Sequence, residues 1–176
     1  MEITTKILAF EYWLTQMLIW GNELNPKVSF SSFSRLKALK LLFFTAAVKD
    51  EQGQDLLDIF NNFYALPYGP VESDIYNCIT LDQLQFFTFK NFSLEMKQDN
   101  CDITLNEEMK QRINHSIKVL RTNNQKIISY NAEQLVTLSH IRTSWRNAIQ
   151  IAHALGKDSY KMDISQIRTD VQYFSL

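Results

Sequence analysis

The sequence predicts a mainly α-helical fold, a compact multi-helix domain that occupies residues 1–176. Glycine and proline are scarce, with four and three residues respectively. So few breaking points favour long helices over a turn-dense β fold. Apolar residues also recur at intervals of three and four over most of the chain, which is the period of an amphipathic helix. Residues 84–97 alternate instead, and this stretch predicts a short β-hairpin or a bulged strand.

The first two helices follow from periodicity and from local breakers. Residues 5–20 form the first helix, with Gly21 at its C′ position, and a loop over residues 22–30 follows. Ser32 or Ser34 caps the second helix, which runs to about residue 48. Large apolar side chains are predicted on its buried face. The basic side chains are placed on its other sides: Arg35, Lys37 and Lys40.

A third and a fourth helix are predicted on either side of a corner that contains two prolines. The third helix covers residues 55–65 and is stopped by Pro67. Pro70 suits the first position of the fourth helix, where its missing N–H leaves no donor unpaired. That helix carries three core candidates: Ile75, Tyr76 and Ile79.

Capping residues place the helices of the second half. A turn is predicted at residues 99–100, and Thr104 with Glu107 predicts a capping box before an apolar series from Met109 to Leu120. The three remaining helix starts are assigned to Asn131, to Thr143, and to Asp163 with Gln166.

Composition limits the classes of function. The chain has 18 basic and 19 acidic side chains and a net charge of −1, which argues against a nucleic-acid partner. No apolar stretch approaches the roughly 20 residues that span a bilayer, and no signal peptide is expected. The two cysteines, Cys78 and Cys101, fit reduced thiols, so we expect a cytoplasmic protein.

Motifs for catalysis and for metal binding are missing from the sequence. The three histidines do not form a zinc pair, and neither cysteine has a second at metal-binding spacing. Nucleophile-elbow, phosphate-loop and dinucleotide patterns are missing as well. We therefore predict no cofactor, no metal and no enzymatic activity.

Two short clusters are the candidates for function. The first is Tyr68-Gly69-Pro70-Val71, a rigid helix-to-helix corner that either serves structure alone or presents a fixed backbone surface to a partner. The second runs from Leu138 to Trp145. In it His140 is placed to bond the last carbonyls of one helix, and Trp145 is placed to plug the corner or to contact a partner directly.

These clusters resemble the Panacea domain of SocA-type antitoxins. The resemblance rests on RLKALKLLFF at residues 35–44, FYALPYGPV at residues 63–71, and the Leu-Ser-His…Trp pattern within residues 135–145. It extends over about residues 34–152 and leaves a helix and loop extension at residues 1–30. The chain departs from the pattern at Ile141 and Arg142, where an acidic residue is expected in many relatives.

The resemblance implies an antitoxin that binds a cognate protein toxin, encoded by a neighbouring gene, and blocks it by direct contact. A protease is a further implied partner, because some relatives hand the toxin to one. The alternative is an adaptor or regulatory protein, such as a phage-associated factor, without a toxin partner. The candidate anchors of the interface are Tyr68, Tyr76 and residues near Trp145. Whether the chain forms homo-oligomers stays open.

Overall fold

A computed structural model describes residues 2–25, 33–90, 93–98 and 102–175. The helices are α1 (Ile3–Leu24), α2 (Arg35–Ala47), α3 (Ser73–Thr80), α4 (Glu107–Asn123), α5 (Ala132–His140), α6 (Thr143–Ala154) and α7 (Ile164–Thr169), with a 3₁₀ turn at Ile127–Ser129. The strands are β1 (Phe63–Leu66), β2 (Gly69–Glu72), β3 (Phe87–Lys90), β4 (Ser93–Met96) and β5 (Tyr160–Lys161). The prediction of a mainly α fold is confirmed.

The first helix is longer than predicted. Gly21 lies inside α1 and is buried, so its assignment as the residue after the helix is wrong. Side chains of α1 such as Phe10, Trp13 and Leu14 are completely buried, and this packing sustains the helix through a residue of poor helix propensity. Most of the predicted loop over residues 22–30 lies outside the described residues.

The second helix begins where one of its two predicted caps places it. The Ser34 hydroxyl accepts a hydrogen bond from the Lys37 backbone N–H at 3.2 Å, while Ser32 lies outside the described residues. Every residue of α2 from Lys37 onward is buried. The expectation that Lys37 and Lys40 lie away from the core is therefore wrong, because other elements cover α2 on all sides.

The third predicted helix is wrong. Residues 56–60 form bends and turns, in which the Phe60 N–H donates to the Leu56 carbonyl at 2.9 Å, and β1 follows. Residues of β1 alternate between buried and half-buried, which is the period of a strand. Its two neighbours in the sheet, β2 and β5, pair with it antiparallel in the order β2-β1-β5. Pairing with β5, which lies far along the chain, overrides the local helical pattern.

The helix after the corner starts later than predicted. Pro70 lies in β2 and not at the first position of a helix, so that assignment is wrong. Glu72 caps α3 instead, since its Oε2 accepts from the Ile75 N–H at 2.9 Å. The predicted hairpin near residues 84–97 is confirmed as β3 and β4, paired antiparallel from Phe87 with Met96 to Lys90 with Ser93.

Two of the four predicted caps of the later helices are confirmed, and two are wrong. Asn106 caps α4, with its Oδ1 accepting from the Met109 N–H at 2.8 Å, so the Thr104–Glu107 box is wrong. Asn131 caps α5 as predicted and forms a capping box with Gln134. Thr143 is the first residue of α6 and not its cap. The assignment of Asp163 to the start of α7 is confirmed, and the turn predicted at residues 99–100 lies outside the described residues.

One hydrophobic core joins these elements. Its buried side chains come from every helix of the described chain and from β1, β2, β3 and β4. The central helix α2 contacts β2, α4 and α5, and α6 lies against β1 and β5. This arrangement brings the end of α5 and the start of α6 beside the β1–β2 hairpin.

Candidate functional site

The tip of the β1–β2 hairpin is the most exposed part of the predicted corner. Leu66 pairs with Gly69, so Pro67 and Tyr68 form the turn between the strands. Proline suits the first turn position, and Gly69 follows with a φ of 93°, which only glycine adopts without strain. The Tyr68 side chain is 69% exposed at this tip. The corner is thus a hairpin turn, and the prediction that it joins two helices is wrong.

Gly69 is needed for close packing as well as for the turn. A Cβ atom on Gly69 would lie 2.3 Å from the Ser139 Oγ and 3.0 Å from the Lys40 Cε. Such distances are far below van der Waals contact, so the hairpin tip lies directly on the end of α5 and on the Lys40 side chain. Ser139 is itself buried, and its hydroxyl donates to the Val136 carbonyl at 2.8 Å.

Lys40 reaches the β1–β2 hairpin from the central helix α2. Its side chain is completely buried, and its Nζ donates to the Pro70 carbonyl oxygen at 2.7 Å. Burial lowers the pKa of the Lys40 amino group to about 7. Pro70 thus has two roles. Its carbonyl accepts the hydrogen bond of this amine. Its missing N–H is tolerated because β2 is an edge strand.

His140 and Trp145 complete the corner as a stacked pair. Their ring centroids lie 3.8 Å apart with an interplanar angle of 6°. The Trp145 Nε1–H donates to the Leu66 carbonyl at 3.0 Å, which ties α6 to β1. The pKa of His140 is lowered, mainly by burial and to a smaller extent by the charge of Lys40. A hydrogen bond to the Pro67 backbone acts in the opposite direction and raises it. His140 thus bonds the hairpin turn, whereas the sequence placed it on the carbonyls of its own helix end.

The structure brings five of the seven candidate residues into this corner. We call it the hairpin corner and define it by Tyr68, Gly69, Pro70, His140 and Trp145, with Lys40 beneath them.

The other two candidates serve different surroundings. Val71 is buried in β2 opposite Tyr64. Tyr76 is half-buried on α3, and its ring lies 5.3 Å from the Arg35 guanidinium carbon at the start of α2.

The sequence does not reveal two residues that pack against Gly69 in the hairpin corner, Lys40 and Ser139. Both lie in the segments that carry the family resemblance, yet a lysine in a helix is ordinarily assigned to solvent. Two lysines, Lys37 and Lys40, interrupt the apolar series of α2 between Leu36 and Phe44. That interruption is the one local signal that could have identified Lys40.

A second buried cation lies next to the hairpin corner. Arg142 is 1% exposed and donates to the carbonyls of Val171 at 3.1 Å and Tyr173 at 3.4 Å. Its guanidinium carbon lies 5.7 Å from the ring centre of Phe44 and 5.4 Å from that of Phe174. Burial lowers its pKa to about 10. Arg142 thus holds the C-terminal segment on the core.

The remaining features concern metal ligands, membrane spans and thiols among the described residues. No group of three metal-ligating side chains is found within them. None of the helices in the described ranges is long and apolar enough for a membrane span. Cys78 is a buried free thiol whose pKa is raised by burial, and Cys101 lies outside the described residues.

The fold and the corner define a class: a small, mainly helical domain in which a β-hairpin is clamped between a buried lysine and a stacked His–Trp pair. The sequence model of one family, described as antitoxin SocA-like, Panacea domain, matches residues 39–146. This match covers more than half of the chain, so the chain belongs to that family. No curated protein and no solved structure matches it.

Proposed function

We propose that the protein is an antitoxin that neutralises a cognate protein toxin by direct contact, and that the hairpin corner is part of the contact surface. The proposal rests on family membership together with one observation. The three segments that carry the family resemblance converge on the same corner, around an exposed tyrosine. We place this binding in the cytoplasm and expect the toxin gene to be a neighbour.

The physical character of the corner supports binding. Tyrosine is enriched among the residues that dominate the free energy of protein association. Tyr68 projects from a turn whose backbone is fixed by Pro67, Gly69 and the support of Lys40. A side chain held on a rigid turn loses little conformational entropy when a partner covers it. An exposed tyrosine in this setting suits an interface anchor.

The burial of the titratable groups in the hairpin corner supports a role without catalysis. A general acid, a general base or a nucleophile has to reach the reacting atoms of a substrate. The amino group of Lys40 is completely buried, and the Nε2 of His140 is shielded from solvent as well. These groups serve the packing of the hairpin, so we propose that the protein binds its partner and does not transform it.

A co-expression experiment tests the proposed function. Each gene flanking this one is induced alone and then together with it, and colony growth is scored. We expect one neighbour to stop growth, this protein to restore it, and the two proteins to elute together after purification. If no neighbour is toxic, the antitoxin proposal fails, and the adaptor alternative without a toxin becomes the one to test.

A matched pair of variants tests the surface. Tyr68→Ala removes the exposed ring at the hairpin corner, whereas Leu81→Ala removes a side chain of similar exposure, 66%, at the end of α3. Only Tyr68→Ala is expected to weaken the complex, by about tenfold or more, which corresponds to roughly 1.4 kcal/mol. Equal affinities of both variants and the wild type, measured by titration calorimetry, would remove Tyr68 from the interface.

A further inference from the structure

The least expected group in the molecule is the amino group of Lys40. It lies on the central helix, completely buried, and its described hydrogen bond is to a backbone carbonyl, that of Pro70. An apolar side chain of the same length would fill the space without the cost of desolvating an amine. The fold therefore gains little stability from lysine here, and the reason for it has to be sought in what the amine holds.

We propose that Lys40 is the positioning residue of the hairpin corner: its amine holds the Pro70 carbonyl and thereby fixes the shape of the turn that presents Tyr68. The proposal deepens the proposed function and rests on it, since it concerns the same contact surface. It assigns a role to a residue that does not itself touch the partner.

The geometry supports a specific hold on the turn. Pro70 follows Gly69 directly, so a donor on the Pro70 oxygen fixes a peptide plane of β2 directly after the turn. Lys40 also packs against Gly69, where a Cβ would lie 3.0 Å from its Cε. The hydrogen bond to Pro70 and the close contact at Gly69 both come from the end of the Lys40 side chain, and together they restrict the position of the hairpin tip. Tyr68 lies directly before Gly69, at the start of this fixed segment.

The surroundings of Lys40 make the strength of its hydrogen bond to Pro70 depend on the protonation of its amine. The groups that face Lys40 are the Pro70 carbonyl from β2 and His140 from α5, whose pKa is lowered by burial and next by the Lys40 charge. On its own helix, Lys37 is buried one turn earlier. A protonated amine donates a stronger hydrogen bond to a carbonyl than a neutral amine does. Because burial brings the pKa of Lys40 to about 7, both forms are populated near neutral pH.

The test compares Lys40→Met with Lys37→Met. Both lysines are buried in α2 and have lowered pKa values, but the Lys37 Nζ lies over the Phe33 ring, 5.0 Å from its centre. We expect Lys40→Met to weaken the complex with the toxic neighbour about tenfold and to speed amide exchange at Tyr68, Gly69 and Val71 about tenfold. Its melting temperature should equal or exceed that of the wild type, because removing a desolvated charge stabilises the fold by more than the unpaired Pro70 carbonyl costs. Lys37→Met should change neither affinity nor exchange.

The expected loss of affinity without a loss of melting temperature distinguishes a positioning residue from one that only supports the fold. A residue that only supports the fold would lower the melting temperature and the affinity together. If Lys40→Met leaves hairpin exchange unchanged, or if affinity and melting temperature fall in parallel, the proposal is wrong.

A measurement on the wild type keeps the test independent of folding defects and of the toxin. Nuclear magnetic resonance follows the Lys40 side-chain signals and the Gly69 amide signal from pH 5 to pH 9. We expect both to shift with one midpoint near neutral pH, and the Gly69 shift to be absent in Lys40→Met. If Gly69 does not respond to Lys40 titration, the positioning role is overturned even where the protein proves to be an antitoxin. If no neighbour is toxic but the coupling is seen, the antitoxin proposal alone fails.

Discussion

Among the buried cations, Lys40 and Arg142 give this core an unusual electrostatic character. Their described hydrogen bonds go to backbone carbonyls: Pro70 for the lysine, Val171 and Tyr173 for the arginine. A carbonyl dipole compensates a buried charge less well than a carboxylate does. Burial accordingly lowers both pKa values, to about 7 and about 10. Each cation thus costs stability while it holds a segment of chain in place.

The lowered pKa of Lys40 predicts a pH dependence of stability. Its pKa is about 7 in the folded protein and near the ordinary 10.5 in the unfolded chain. Between these values the unfolded state binds more protons, so the free energy of unfolding rises with pH, with a slope of up to about 1.4 kcal/mol per pH unit. Below the folded-state pKa this contribution stays constant at its least favourable value.

Urea unfolding of the wild type and of Lys40→Met at pH 7, 8, 9 and 10 measures this dependence. The difference between the two proteins isolates Lys40 from all other titrating groups. We expect the advantage of the methionine variant to shrink steadily as the pH rises. Parallel curves for the two proteins would contradict the prediction.

Trp145 predicts a second effect at the scale of one residue. Trp145→Phe keeps an aromatic ring beside His140 but removes the donor to the Leu66 carbonyl. Because the Leu66 backbone is also paired with Gly69 across the hairpin, the expected loss is that of one hydrogen bond, about 0.5–1.5 kcal/mol. Trp20→Phe is the matched control, because the buried Nε1 of Trp20 makes no described hydrogen bond. Urea unfolding should show the larger loss for Trp145→Phe, and equal losses would mean that this bond contributes little.

At the scale of elements, local signals predicted helices well and the corner poorly. The cap at Asn131 and the apolar series of α4 depend on neighbours three or four residues away, so sequence spacing reveals them. The order of the motifs also identified most of the hairpin corner. The strand β1 depends on pairing with β2 and with β5, and no local pattern encodes that distant partner. Burial of Lys40 depends likewise on elements that cover α2 from elsewhere in the chain.

The helix α1 is tied to the far end of the same hairpin by charge. The Lys6 Nζ donates to the Glu72 Oε1 at 2.9 Å, the Asp74 Oδ2 at 2.6 Å and the Asn61 Oδ1 at 3.0 Å. Lys6 is 4% exposed and Glu72 is completely buried. Desolvation, the largest single effect, lowers the pKa of Lys6, but hydrogen bonds and attraction to the two carboxylates together raise it above its ordinary value. Glu72 thus joins α1, β2 and the cap of α3 in one network.

Removing the cation from this network should be costly. Lys6→Met leaves the Glu72 carboxylate buried without its ion-pair partner, for which the expected loss is about 3–5 kcal/mol. Lys110→Met serves as a control, since it breaks a surface pair with Glu107 within one helix. Thermal and urea unfolding should show a large loss for the first variant and little change for the second. A double variant, Lys6→Met with Glu72→Gln, should recover part of the loss, and no recovery would place the defect outside the ion pair.

At the scale of the whole molecule, the core extends beyond the region that defines the family. The family match spans residues 39–146, but α1 and α7 contribute fully buried side chains such as Trp13 and Ile167. The segment after α7 contacts the start of α6 and the end of α2. Asp170 accepts from the Ser144 N–H at 3.1 Å at the start of α6, and the Gln172 side chain donates to the Ala47 carbonyl at 2.6 Å. The hairpin corner is therefore supported by parts of the chain that the family pattern does not include.

Truncation of the C-terminal segment tests this dependence. Ending the chain after Thr169 removes the Asp170 carboxylate from α6 and both carbonyl partners of Arg142, which leaves the guanidinium against Phe43 and Phe44 without these acceptors. Such a loss costs about 3–5 kcal/mol, a large part of the roughly 5–15 kcal/mol by which small domains are stable. Ending the chain after Phe174 keeps all of these contacts and is the control.

The shorter chain should melt well below the control and should bind the toxic neighbour more weakly, because α5 and α6 carry His140 and Trp145 to the hairpin. Adding Arg142→Met to the shorter chain removes the uncompensated charge and should restore part of the melting temperature. If the two truncated chains melt together, the C-terminal segment does not support the corner. If Arg142→Met restores nothing, the loss comes from the cap of α6 and not from the buried cation, and Asp170→Asn in the full-length chain should then reproduce it.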